Sequence, residues 1–202
     1  MRVSRTQAQE NHARVIETAA GLLRTHGYDG IGVADLMKAA GLTHGGFYRN
    51  FASKDDLIVK ATRCALESTR TTLEQAQATA PEAAFTTLVT EYLSQRHCQA
   101  TESGCILPAL AADAARRDDP ALRAVFREAI ANYLAYLGSI APTMPTHTQA
   151  RKPEAILAEL VGAVVLARAM GTGEQANDLL EAIVSDLKEV NTELAPMGTP
   201  GQ

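Results

Sequence analysis

The chain has 202 residues and a formal net charge of −4, long enough for one large core or two small ones. It has no tryptophan, few aromatics and many alanines, which favours helices over sheet. No apolar run approaches the roughly 20 residues that span a bilayer, and the N-terminal MRVSRTQAQENHAR lacks the apolar region of a signal peptide. The three cysteines, Cys64, Cys98 and Cys105, form no CxxC pair, so reduced thiols in a cytoplasm are expected rather than a disulfide framework. Charge is uneven: residues 1–63 hold nine Lys and Arg against six Asp and Glu, a mildly basic module on an acidic body.

In chain order, Val15, Ile16, Ala19, Ala20, Leu22 and Leu23 recur at helical spacing, predicting a helix over 7–26 that Gly27 ends. After YDGIG a second helix is expected over 33–40, with Gly32 at its N-cap and Asp35 in its first turn. Gly41 and Leu42 make a tight turn, and Thr43 caps a short helix through HGGFYRN. Ser53 then caps a long helix with Asp55 and Asp56 in its first turn. Pro81 opens a helix to about residue 97, ATESG is a loop, and a helix over 105–117 carries Pro108 in its first turn. Asp119 before Pro120 starts another helix reaching about residue 140. APTMPTHTQARK reads as a surface loop, two helices over 153–170 and 174–193 close the fold, and APMGTPGQ is an unstructured tail. The expectation is an all-α protein of about nine helices.

Two short helices joined at Gly41 make a helix-turn-helix, whose second helix enters the DNA major groove. Spacing alone leaves open an αα-hairpin that binds nothing. The stretch VIETAAGLLRTHGYDGIGVADLMKAAGLTHGGFYRNFASKDDL, and above all Phe47, Tyr48, Phe51, Ser53, Lys54 and Leu57, resembles the DNA-binding domain of the TetR family of bacterial transcriptional repressors. The resemblance spans about a quarter of the chain. It implies a DNA-binding domain over 1–53, a helical effector-binding and dimerisation body over 54–194, and a tail over 195–202. Gly32 departs from the hydroxyl residue usual at that cap, so no phosphate contact is assigned there.

Within this frame Thr43 caps the recognition helix and has a hydroxyl for phosphate. His44 and Arg49 are the base readers, Arg49 being suited to the O6/N7 edge of guanine. Tyr48 and Lys54 match family positions that hold the DNA backbone. Gly45 and Gly46 each weaken a helix by about 1 kcal/mol relative to alanine. Two explanations stand: room for the backbone to approach DNA, or relief of crowding against a neighbouring helix. Asn50 is taken as structural, and Arg2 and Arg5 either form a minor-groove arm or are stray charges.

The last two helices carry broad apolar faces. Leu157, Val161, Val164, Val165, Leu180, Ile183, Val184 and Leu187 serve either the protomer core or a four-helix homodimer interface, as the resemblance implies. Such a dimer binds a palindromic double-stranded operator. Tyr92, His97, Cys98, Phe126, Tyr133, Tyr136 and Met170 are candidates to line an effector pocket, or are ordinary core. Cys105 follows Gly104 at a helix start, where backbone N–H groups favour a thiolate. The same stretch resembles electrophile- and oxidant-sensing TetR-family repressors, whereas packing is the plainer use of a small cysteine. His97, Cys98 and Cys105 fit no zinc spacing, and no motif indicates a cofactor or an enzyme. The functional expectation is a homodimeric repressor released by a small-molecule or electrophile effector. The alternative is a helical module that sequesters a small molecule.

Overall fold

A computed structural model describes residues 5–141 and 151–192. Arg2, the 195–202 tail and most of the APTMPTHTQARK loop lie outside them. The described residues hold ten α-helices and no strand: α1 (Arg5–His26), α2 (Val33–Ala39), α3 (Phe47–Asn50), α4 (Lys54–Thr79), α5 (Ala84–Tyr92), α6 (Gln95–Gln99), α7 (Ile106–Arg116), α8 (Pro120–Ile140), α9 (Pro153–Met170) and α10 (Glu174–Thr192). The expected helix over 81–97 is three pieces: a 3-10 turn (Pro81–Ala83), α5 and α6. The break has a local cause. The Ser94 hydroxyl donates to the Glu91 carbonyl at 2.7 Å and accepts the His97 N–H at 3.2 Å, acting as an N-cap in mid-sequence.

The chain divides into two compact units. The described residues up to 74 and 100–132 form one, and 75–99 with the described residues from 133 on form the other. In the first, α1 ends at Gly27 (φ 75°), whose N–H bonds the Leu23 carbonyl at 2.8 Å, a single-bond left-handed cap. The positive φ requires glycine, and a Cβ there would also stand 2.6 Å from Asp113 Oδ2 and push that carboxylate aside. α2 ends in a Schellman motif. Gly41 (φ 71°) donates to Lys38 O at 3.0 Å and Leu42 donates to Met37 O at 2.9 Å. Val15, Leu23, Leu36, Met37, Phe47, Phe51, Leu57 and Ile58 are all buried in this unit.

The second unit packs Phe85 and Val89 of α5, Leu93 just past its end, and Leu137 of α8 with the inner faces of α9 and α10. Arg151 ties the start of α9 to α10, pairing with Glu159 at 2.5 Å and with Asp186. Asp119 caps α8 as expected, its carboxylate accepting the Ala121 and Leu122 N–H groups.

Tyr28 and Thr62 are the polar pair at the heart of the first unit. Their hydroxyls lie 3.0 Å apart, and both residues are almost completely buried. Burial pushes the Tyr28 phenol up to about 12, so it stays neutral. Tyr28→Phe leaves the Thr62 hydroxyl buried without this partner. It should cost about 1–3 kcal/mol, read as a lower Tm in thermal unfolding followed by circular dichroism.

Candidate nucleic-acid interface

The segment between Thr43 and Phe51 is short and wound in two ways. His44–Gly46 form a 3-10 turn and Phe47–Asn50 a single α-turn, where the sequence suggests one continuous helix. Phe47 is fully buried and Phe51 nearly so, and their rings sit 5.5 Å apart. His12 of α1 stacks on Phe51 at 4.7 Å, and Lys60 of α4 lies 5.4 Å from the same ring. Aromatic burial therefore anchors the turn from below.

The opposite side of the segment faces outward. Thr43, His44, Gly45, Tyr48 and Arg49 are exposed, Tyr48 with 71% of its surface open. An aromatic ring that exposed has an apolar face unserved by its own chain. His44 and Tyr48 meet edge-to-face at 6.2 Å. Asn50 turns inward instead, its amide N–H donating to the Gly46 carbonyl at 2.8 Å. Thr43 occupies the cap position, yet its hydroxyl makes no cap hydrogen bond.

The glycine pair has no steric cause inside the protein. A Cβ at Gly45 would meet nothing within 4 Å, and one at Gly46 only ordinary contacts with Met37 and Thr43. Neither glycine has positive φ. Crowding against a neighbouring helix is thus absent.

At the other edge Ser53 caps α4, its hydroxyl accepting the Asp56 N–H at 3.0 Å. The Asp56 carboxylate reaches back to the Ala52 N–H at 3.1 Å and binds Lys60 at 2.8 Å. The Lys60 hydrogen bond, with the Ala52 N–H adding to it, holds the Asp56 carboxyl below its usual value and the first turn of α4 in place. Lys54 is half-buried in that turn. Arg5, the one described residue of the suggested arm, is exposed at the start of α1.

The family model described as "Bacterial regulatory proteins, tetR family" matches residues 15–61, the stretch whose geometry has just been given. That stretch is a TetR-family domain. The fold of the chain as a whole is TetR-like, beyond the matched stretch too. It superposes on a TetR transcriptional regulator from Chloroflexus aurantiacus J-10-FL with a TM-score of 0.75 and 26% identity, over 93% of this chain and 97% of that one. E. coli NemR in its reduced form gives a TM-score of 0.75 at 18% identity, over 89% and 96% of the two chains. AibR, solved in complex with isovaleryl coenzyme A and operator DNA, gives 0.61 at 14% identity, over 87% and 97%. No curated protein matches the chain in sequence.

The other candidates on this chain separate by burial. Val164, Leu180 and Leu187 are buried in the protomer core, the first of the two uses the sequence left open for them. Leu157, Val161, Ile183 and Val184 are half-buried and Val165 is exposed. The sequence reading did not single out Leu166, which is 55% exposed; Met170, a candidate for pocket lining or core, is 50% exposed at the end of α9. Both sit on the outer face of α9, which helical periodicity alone does not distinguish from the inner one.

The effector candidates are divided between the two units. Cys105 and Phe126 are buried in the first. In the second, the Tyr92 and His97 rings lie 4.6 Å apart and His97 Nδ1 is 2.6 Å from the Tyr92 carbonyl oxygen. Arg168 donates to the Cys98 and His97 carbonyls. Burial lowers the His97 imidazole below its ordinary value. Tyr133 is buried and Tyr136 half-buried. A groove of about 480 Å³ in the second unit runs between α5 and α10, past Leu93, Gln95, Asn177 and Glu181; none of these was singled out from the sequence. Among the described residues no cluster of His, Cys, Asp and Glu fits a metal, and no helix is long and apolar enough to cross a membrane.

Gly45→Ala separates folding from recognition. With negative φ and open space at this position, alanine should leave Tm unchanged or raise it, by up to about 1 kcal/mol of stability, while weakening DNA binding in a gel shift. A variant that binds as wild type does would show that the missing Cβ serves no contact with DNA.

Proposed function

We propose that this TetR-family chain is a transcriptional repressor that works as a cytoplasmic homodimer without enzymatic activity. Its operator is palindromic double-stranded DNA, and an effector releases it. The observation that carries the DNA reading is the exposed row Thr43, His44, Gly45, Tyr48 and Arg49, set on aromatic anchors and containing glycines that the fold does not need. Arg49 and His44 read base edges, while Thr43, Tyr48 and Lys54 hold phosphates. The division of labour is that of a 1–53 reading domain and a 54–194 body.

The dimer reading draws on the outer face of α9. Val165, Leu166 and Met170 are exposed apolar residues, and a Cβ at Gly162 on the same helix would meet nothing within 4 Å. A second copy packed there would bury the exposed side chains, with the space at Gly162 admitting close helix approach.

For release, the structure favours reversible small-molecule binding over thiol modification. Cys105 occupies the N-cap position of α7 but is 5% exposed, out of reach of an oxidant or electrophile in this conformation. Burial raises the Cys64 and Cys98 thiols above their ordinary values, opposite to activation. The AibR complex with isovaleryl coenzyme A and operator DNA is a precedent for one such fold binding both kinds of partner.

Replacing Tyr48 or Lys54 should weaken binding to cognate and scrambled duplexes alike and flatten the salt dependence. Replacing Arg49 should relax specificity at one base position, at a cost of about 1–3 kcal/mol. Fluorescence anisotropy on both duplexes at several salt concentrations checks this; identical behaviour of the Arg49 and Lys54 variants overturns the assignment.

Leu166→Asp should yield a folded monomer with little change in helix content, whereas Val164→Asp should unfold the protomer by burying a charge. Sedimentation velocity gives the answer. A wild type that remains monomeric at micromolar concentration sinks the dimer.

A further inference from the structure

The first unit contains an ionic clamp on the helix-turn-helix that takes no part in facing DNA. Arg117 follows the last residue of α7 in extended backbone (φ −87°, ψ 137°). One guanidinium nitrogen donates to Asp29 at 2.6 Å and the other to Asp55 at 2.5 Å. The guanidinium also lies 5.9 Å from the Tyr28 ring.

Asp29 belongs to the turn before α2, and Asp55 to the first turn of α4. One planar side chain therefore grips the chain where it enters the helix-turn-helix and where it leaves. Asp113 supports the grip from the preceding turn of α7, accepting the Tyr28 N–H at 3.3 Å beside Gly27, and pairing with Arg116. Lys54, the residue assigned to phosphate, adjoins Asp55 in the same first turn of α4.

Stability does not account for this arrangement. The side chains of Asp29 and Asp55 are 84% and 60% exposed, and ion pairs that open are worth roughly 0–1 kcal/mol each. What a planar fork adds at low energy is geometry: two carboxylates held at a fixed separation and angle.

We propose that Arg117 is a positioning residue for operator recognition: by joining Asp29 and Asp55 to the end of α7 it sets the orientation of the reading helix, and with it the half-site spacing the dimer accepts. The inference rests on the DNA-binding dimer described above. It concerns spacing rather than contact, because none of the three side chains belongs to the exposed row. Each base pair added between half-sites turns one against the other by roughly 34°, so a rigid reading helix tolerates one spacing and a loosened one several.

The experiment starts with wild-type protein selecting its duplex from a random pool. Binding is then measured on a ladder of that duplex with half-sites moved by single base pairs, for wild type, Arg117→Lys and Arg117→Met. Hydrogen exchange at residues 28–32 and 54–57, read without DNA, reports the clamp itself. Wild type should show one preferred spacing. Arg117→Met should lose about two- to fivefold at that spacing and bind the neighbouring spacings almost equally, with faster exchange at both segments. Arg117→Lys, able to hold one carboxylate at a time, should fall between them.

Faster exchange with an unchanged spacing profile overturns the positioning role and leaves the clamp as scaffold. Equal loss at every spacing does the same. A wild type that selects no duplex defeats the DNA reading itself, and that outcome is visible before any variant is made.

Discussion

The burial of Phe47 and Phe51 is the interaction on which the exposed turn between α2 and α4 depends. A 3-10 turn followed by four α-helical residues has too few hydrogen bonds to persist alone, since nucleating even one turn is unfavourable. Truncating a buried phenylalanine costs about 3–5 kcal/mol, more than any hydrogen bond in the segment contributes. The two rings fix which side of the turn is inside, and Tyr48 and Arg49 are outside for that reason. His12 and Lys60 on Phe51 carry the same constraint into α1 and α4. Side chains from α1, α4 and the turn itself thus agree on the position of one aromatic ring.

That dependence frees the outer side of the turn from any structural duty. Glycine at 45 and 46 loosens a helix that is already held, and the weakening is offset by the aromatic anchors. Caps at the boundaries do the rest: the Schellman turn at Gly41 before the segment, and the Ser53 and Asp56 pair after it. Local strength at both ends and tertiary strength beneath allow a weak helix to be a well-placed one.

Much of the fold was legible because its signals are local. Gly27, Gly41, Ser53 and Asp119 mark helix ends through their own backbone or side-chain chemistry, and all four act where the sequence puts them. Ser94 carries the same chemistry, yet apolar periodicity runs on either side of it and hides the break between α5 and α6. The tertiary partners were not legible. Nothing in the spacing of Arg117 from Asp29 or Asp55 announces a contact across 88 and 62 residues. For α9 the sequence shows an apolar helix, and only packing separates buried Val164 from exposed Val165 and Leu166. The effector candidates scatter for a related reason: aromatic and thiol side chains fill cores as readily as they line pockets.

The first compact unit is discontinuous, the described residues up to 74 being completed by 100–132, and this orders events during synthesis. Chains emerge from the ribosome N-terminus first and domains fold as units. When the helix-turn-helix has been made, Asp113 and Arg117 have not. The turn at Gly27 and Tyr28 then lacks its carboxylate, and Asp29 and Asp55 lack their common cation. A nascent chain can therefore bury Phe47 and Phe51 early, but it acquires the clamped form of its helix-turn-helix only after α7 has left the tunnel. Until then it displays the exposed side chains of the turn, Tyr48 and Arg49 among them, on a unit whose mounting is unfinished.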